Sequence, residues 1–225
     1  MTEIPEPVVR AFSEESARWE EALAALTGSE FSRPTPCPPW TVAELVAHVT
    51  SAVARVPAGL AVAPPPHADL DAAGYYHPGI FDAAANTERV AAAQRDAAAH
   101  PDPVTLVAAF QQQRRLASHA VARHPLDRLV VTRWGDGMIL REFLLTRVVE
   151  LVLHGLDLTA ALDTPAWTTP TAATLVAEFL GVTEAADRLG WDSPTALAKG
   201  SGRTPLTHGE HTELTRTGTH WRRFG

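Results

Sequence analysis

Glu150 and His154 stand four residues apart in Arg147-Val-Val-Glu150-Leu-Val-Leu-His154-Gly-Leu-Asp157-Leu. On a helix that spacing lets two side chains reach one cation. The helix expected over residues 141–162 is apolar nearly all round, the pattern of a helix enclosed by protein. Its ionisable residues Arg147, Glu150, His154 and Asp157 fall within an arc of about 80°. A buried carboxylate or imidazole is costly unless partners, water or a cation satisfy it. His48, mid-helix in Leu45-Val-Ala-His48-Val49, is the best third ligand. Asp157, three residues beyond His154, is placed to accept the second imidazole N–H and fix its tautomer. Arg147 either pairs with Glu150 or Asp157 or holds a substrate carboxylate. Alone, a Glu150 and His154 pair of this spacing is usually a surface pair or an internal hydrogen bond. Its apolar surroundings bring a divalent metal, zinc by donor type, level with those readings.

Other polar residues have plainer explanations. Thr41 and Glu44 form a capping box, so Glu44 is not counted as a ligand. Cys37 reads as a small packed residue and Trp40 as an anchor where the helix enters the core. His208-Gly-Glu210-His211 with His220 is a rival metal cluster, but it shows neither a helical frame nor an apolar setting.

The elements that must position these residues follow from periodicity and punctuation. Apolar residues at helical spacing predict an amphipathic helix over 7–26, and the capping box predicts a second over 41–56. Prolines and Gly74 mark 57–78 as a long loop. Helices are expected over 81–100 and 104–124, the latter burying Val104, Val107, Phe110, Leu116 and Val121. Residues 129–140 read as an extended segment with a Gly-Asp-Gly turn. After Pro165 a helix over 170–189 precedes a Gly, Thr and His-rich tail, which places a boundary near Thr164. The expected fold is mainly α: a metal-binding helical bundle over 1–164 and a small α/β subdomain over 165–225.

The 225 residues, 45% hydrophobic, suffice for one sizeable core with an appendage. No stretch has the length and apolarity of a membrane span, and the N-terminus does not resemble a leader, so a cytoplasmic protein is expected. One cysteine excludes an intramolecular disulfide framework. A net charge of −7 offers no general attraction for nucleic acid or anionic lipid. The single lysine among 19 basic residues, with abundant Ala, Arg and Pro, suggests a G+C-rich bacterial genome.

Two segments resemble the DinB-like superfamily and, within it, the mycothiol-dependent maleylpyruvate isomerase family. Thr35-Pro-Cys37-Pro-Pro-Trp40, followed by a helix reaching His48, is similar to the family's first motif. The Arg147, Glu150, His154, Asp157 segment is similar to its second. Pro39 departs from the usual glycine, and Leu156 from the usual tryptophan. Gly202-Arg203-Thr-Pro-Leu resembles a C-terminal element of the family. The resemblance implies a DinB-like four-helix bundle holding zinc through His48, Glu150 and His154, with mycothiol as thiol cosubstrate and an actinobacterial source. It also implies a smaller C-terminal domain, from which Arg203 either reaches an anionic substrate or thiol or stays a solvated loop arginine. Three such ligands leave a fourth position where a thiol would lose its proton. The nucleophile is then that thiol rather than a protein side chain, and its attack on an electrophile gives either cis to trans isomerisation or S-transfer. The competing readings are a noncatalytic binding bundle and a zinc-water hydrolase.

Overall fold

The protein is described from a computed structural model covering residues 6–219 and Trp221. Four long helices make the bundle: α1 (Pro7–Ala24), α2 (Val42–Ala61), α5 (Pro103–Ala122) and α6 (Leu140–Leu162). Between α2 and α5 lie the one-turn α3 (Ala72–Tyr75) and α4 (Ala83–Ala98), and α4 packs on α2. Helix α6 is central, as its apolar circumference predicts, packing on α1 and α2. Trp19, Phe12, Phe110 and Phe143 are wholly enclosed, and Trp19 Nε1 donates to the Leu151 carbonyl at 2.8 Å. Among the described residues no helix is long and apolar enough to cross a membrane.

The expected capping box opens α2: the Thr41 N–H donates to Glu44 Oε2 at 2.6 Å. The helix then runs through Pro57 to Ala61 rather than stopping near Val56. Packing accounts for the extension, since Val56 and Leu60 are buried and Gly59 lies against the Val131 backbone, where a Cβ would stand 2.9 Å from the carbonyl oxygen. Arg128 Nη2 donates to the Leu60 carbonyl at the helix end. In α5 the inward face is Leu106, Phe110, Ala117 and Val121. Val104 (78% exposed) and Leu116 (45%) lie off that phase, correcting their expected burial. The extended segment is the hairpin β1 (Leu129–Val131) and β2 (Gly137–Ile139), with Val130 opposite Met138.

The loop expected after α2 is more ordered than its prolines suggest. Asp69 pairs with Gly137 through N–H to carbonyl (2.8 Å) and carboxylate to N–H (2.7 Å) contacts. Asp71 then caps α3 by accepting from the Gly74 N–H, so Gly74 closes a helical turn instead of breaking one.

Beyond Pro165 the described chain is helical: α7 (Pro170–Leu180), α8 (Thr183–Leu189), α9 (Ser193–Gly200) and α10 (His208–Thr217). Gly181, at φ 77°, ends α7 and divides the single helix expected there. No strand follows Ile139 among the described residues, so this part is α rather than α/β. Asp192 and Thr207 cap α9 and α10, supplying helix starts that a Gly- and Thr-rich composition conceals. α7 packs on α1 and α6, and its Ala172, Val176 and Leu180 join the bundle core.

Candidate metal centre

His48 from α2 meets Glu150 and His154 from α6 at a cavity of about 430 Å3. His48 Nε2 lies 3.2 Å and His154 Nε2 3.4 Å from Glu150 Oε2. All three side chains are mostly buried. Ligand atoms about 2.0–2.1 Å from a tetrahedral cation stand about 3.3 Å apart, which the two distances to Glu150 match, and all three donor atoms lie within 4.8 Å of one another.

The outer contacts fix which nitrogen is free. His154 Nδ1 lies 2.8 Å from Asp157 Oδ2, and Asp157 accepts Arg203 Nε and Nη2 at 2.8 Å each. An ionised Asp157 only accepts, so Nδ1 carries the proton and Nε2 turns its lone pair toward Glu150. Two lone pairs facing one another at 3.4 Å require a proton or a cation between them. Burial would raise Glu150, yet hydrogen bonds from His154 and His48 hold it well below the usual carboxylate range. Burial would lower His154, but contacts with Asp157, Cys37 and Glu150 lift it well above 6.5. Burial prevails at His48, bringing it down to about 4. The site is thus built for one positive charge at His154 Nε2, and its three donors are of the types that could hold a divalent ion in that place.

Arg203 is not a solvated loop arginine: it clamps Asp157 through Nε and Nη2 while lining the cavity. Arg147 makes no ion pair with any described carboxylate. Helical side chains lean toward the N-terminus, which carries its guanidinium away from Asp157, to 4.8 Å from the Phe143 ring and 5.1 Å from Tyr75. There Nε donates to Thr146 Oγ1 and Nη1 to the Ala52 carbonyl.

Trp40 anchors the helix entry as expected and also lies 4.8 Å from the His48 ring, walling the site. Cys37 packs partly on the core, yet its sulfur, with donor atoms of His154 and Asp157, forms a group spanning no more than 4.8 Å. The Glu210 carboxylate in the rival cluster is occupied by Lys199 Nζ, Trp191 Nε1 and the Thr207 N–H, each at 2.7 Å. His220 lies outside the described residues.

Several cavity residues carry no sequence motif. Tyr76 Oη lies 3.3 Å from Glu150 Oε1 and 3.0 Å from the Thr146 carbonyl, and burial beside Glu150 keeps the phenol protonated. Tyr75, Trp134, Arg55, Arg89 and Arg133 also line the space. Only Arg55 had a usable signal: seven residues beyond His48, it shares that helix face.

Comparison with known proteins agrees with the fold. A crystal structure of the mycothiol-dependent maleylpyruvate isomerase superposes with a TM-score of 0.59 at 16% identity, covering 89% of this chain and 90% of that one. A histidine-to-alanine mutant of such an enzyme gives 0.55, with the same identity and coverage. Among curated proteins none matches the chain. The sequence pattern of the mycothiol maleylpyruvate isomerase N-terminal domain matches residues 12–159, a stretch containing His48, Glu150 and His154 and well over half the chain. On that match, the chain belongs to the mycothiol maleylpyruvate isomerase N-terminal domain family.

Proposed function

We propose that this protein is a mycothiol-dependent isomerase whose centre is a divalent metal, zinc by donor type, held by His48, Glu150 and His154. The observation that carries the reading is the convergence of these donors on a cavity, with Asp157 and Arg203 fixing the tautomer of His154. When bound, the cation supplies stabilisation of a thiolate at neutral pH.

The protein's own groups perform the rest. Asp157 and Arg203 hold the His154 ring, and Tyr76 engages Glu150 Oε1 while Oε2 faces the histidines. Trp40, Tyr75, Ile80 and Leu153 wall the cavity with apolar surface and limit water. An electrophile bound there meets the thiol sulfur. With an activated cis alkene, addition turns the double bond into a single one, rotation follows, and elimination returns the thiol and the trans isomer. With an epoxide or a leaving group, the same attack leaves an S-conjugate. The reading places the protein in the cytoplasm of a mycothiol-making actinobacterium, where a lone cysteine stays reduced.

Turnover of maleylpyruvate by the purified protein, with and without mycothiol, tests it. Strict thiol dependence is expected. Thiol-independent turnover would favour hydrolysis by metal-bound water, and no turnover with either would favour a binding bundle.

A further prediction concerns Asp157. Asp157→Asn removes the charge that accepts the imidazole N–H and the Arg203 fork. Zinc affinity, read by competition with a chromophoric chelator, should fall about 10- to 100-fold while the bundle stays folded. Unchanged affinity would mean that Asp157 does not act through His154.

A further inference from the structure

The arginines lining the cavity differ in how they are engaged. Arg203 is bound bidentately to Asp157. Arg89 donates to the Ile80 carbonyl and to Asn86 Oδ1. Arg133 lies 5.0 Å over the Trp134 ring and reaches exposed Glu88 only at 3.8 Å. Arg55, half-buried on α2, has no hydrogen bond or ion pair with any described residue. A partly desolvated cation without a direct counter-ion opposes folding; the positive charges of Arg147 and Arg133 near it add to that cost, and the more distant Glu150 offsets only part of it. The chain has 26 acidic residues and a net charge of −7, so negative groups are abundant, yet none of the described ones lies within ion-pair distance of Arg55, and Glu150 acts on it only from further off.

Position completes the argument. Arg55 lies two helical turns beyond His48 on the same face of α2, and the N-terminal lean of helical side chains carries its guanidinium back toward the metal centre. It lines the cavity and also an adjoining crevice of about 300 Å3 between α2 and α4. Arg89, Arg133 and His48 line both spaces too. A guanidinium offers only donors, so its partner is an acceptor, and an oxyanion matches its planar fork. Trp134 and Tyr75, with ring centroids 5.0 Å apart, form an aromatic wall of the same cavity.

We infer that Arg55, flanked by Arg133 and Arg89, is the specificity-determining anchor for a carboxylate of the electrophilic substrate, holding it beyond His48 while the reacting carbon faces the metal centre. The orientation rests on the proposed thiol reaction; the anion site does not. The substrates it selects are small unsaturated acids, and their neutral amides or esters are poor ligands.

Calorimetric titration without thiol tests the anchor. Succinate is the probe, succinamide its neutral counterpart and phosphate the competing anion. Succinate should bind the wild type and His154→Ala, whereas succinamide should bind neither. Arg55→Gln should weaken succinate by about tenfold or more, with a smaller loss in Arg133→Gln. Thermal melting of Arg55→Gln should show a midpoint no lower than that of the wild type, since the residue has no direct hydrogen bond or ion pair to lose and burial with the neighbouring arginines outweighs the pull of Glu150. Equal succinate affinity in wild type and Arg55→Gln would overturn the inference. So would loss of binding in His154→Ala, which would put the anion at the metal centre, or phosphate binding more tightly than succinate. Because no thiol is present, failure here leaves thiol-dependent turnover untouched. Absent turnover with intact succinate binding would sink the reaction and keep the anchor.

Discussion

His154→Ala should lose bound zinc and lower mycothiol-dependent turnover by about two to three orders of magnitude or more, while the protein keeps its helical circular dichroism. At pH 7 a free thiol of pKa about 8.5 is only about 3% thiolate, so loss of ionisation alone accounts for roughly thirtyfold. Loss of positioning at the cavity adds to that. Folding should survive because the largest enclosed apolar side chains, Trp19, Phe12, Phe110 and Phe143, belong to the core, and His154 stands at the cavity wall. Asp157 keeps Arg203, and His48 keeps Glu150. In the absence of metal the folded-state pKa of His154 is raised, so its contribution to stability is full below about 6.5 and is lost as pH rises through the folded value. The melting difference between wild type and variant should therefore be larger at pH 6 than well into the alkaline range. A variant that retained zinc and turnover would remove His154 from the centre, and one that unfolded would make the metal structural.

The contrast between α6 and Arg55 shows what the sequence can disclose. Around Glu150 and His154 the apolar residues are so continuous that any charge must be buried, and burial obliges a partner; the helix, its centrality and the shared face all follow. His48 was legible for the same reason on α2. The phase of α5 was not, because Ala117 is fully buried while its larger neighbour Leu116, which composition would send inward, is exposed. Arg147 shows a different limit: helical phase gives the direction of a Cβ, but a long side chain carries its charge a turn away, here to Tyr75 and Phe143. The roles of Tyr76 and Arg203 depend on where a loop and a C-terminal segment dock. No periodicity within either segment encodes a partner 70 or 46 residues away. The C-terminal helices were hidden by composition, since Thr and Gly mark caps as readily as coil.

Binding of zinc near pH 7 should release about one proton, and that proton comes from His154. Without metal, Glu150 is already ionised and His48, with a pKa pushed down to about 4, is already neutral. His154, lifted well above 6.5 against the effect of burial by Asp157, Cys37 and Glu150, still carries the charge that a cation must replace. Apparent affinity should then rise about tenfold per pH unit through neutrality and level off only above the raised pKa of His154. An unshifted imidazole would level off near its ordinary value of about 6.5. As pH falls toward 4, His48 also takes up a proton and the slope approaches about a hundredfold per unit. Titrating zinc at pH 7 in two buffers of different ionisation enthalpy gives the proton count directly; a count near zero would mean that His154 is neutral before the metal arrives. Turnover at limiting zinc should follow the same slope, and saturating zinc should flatten it, because the proton competes for the donor atoms and not for the substrate.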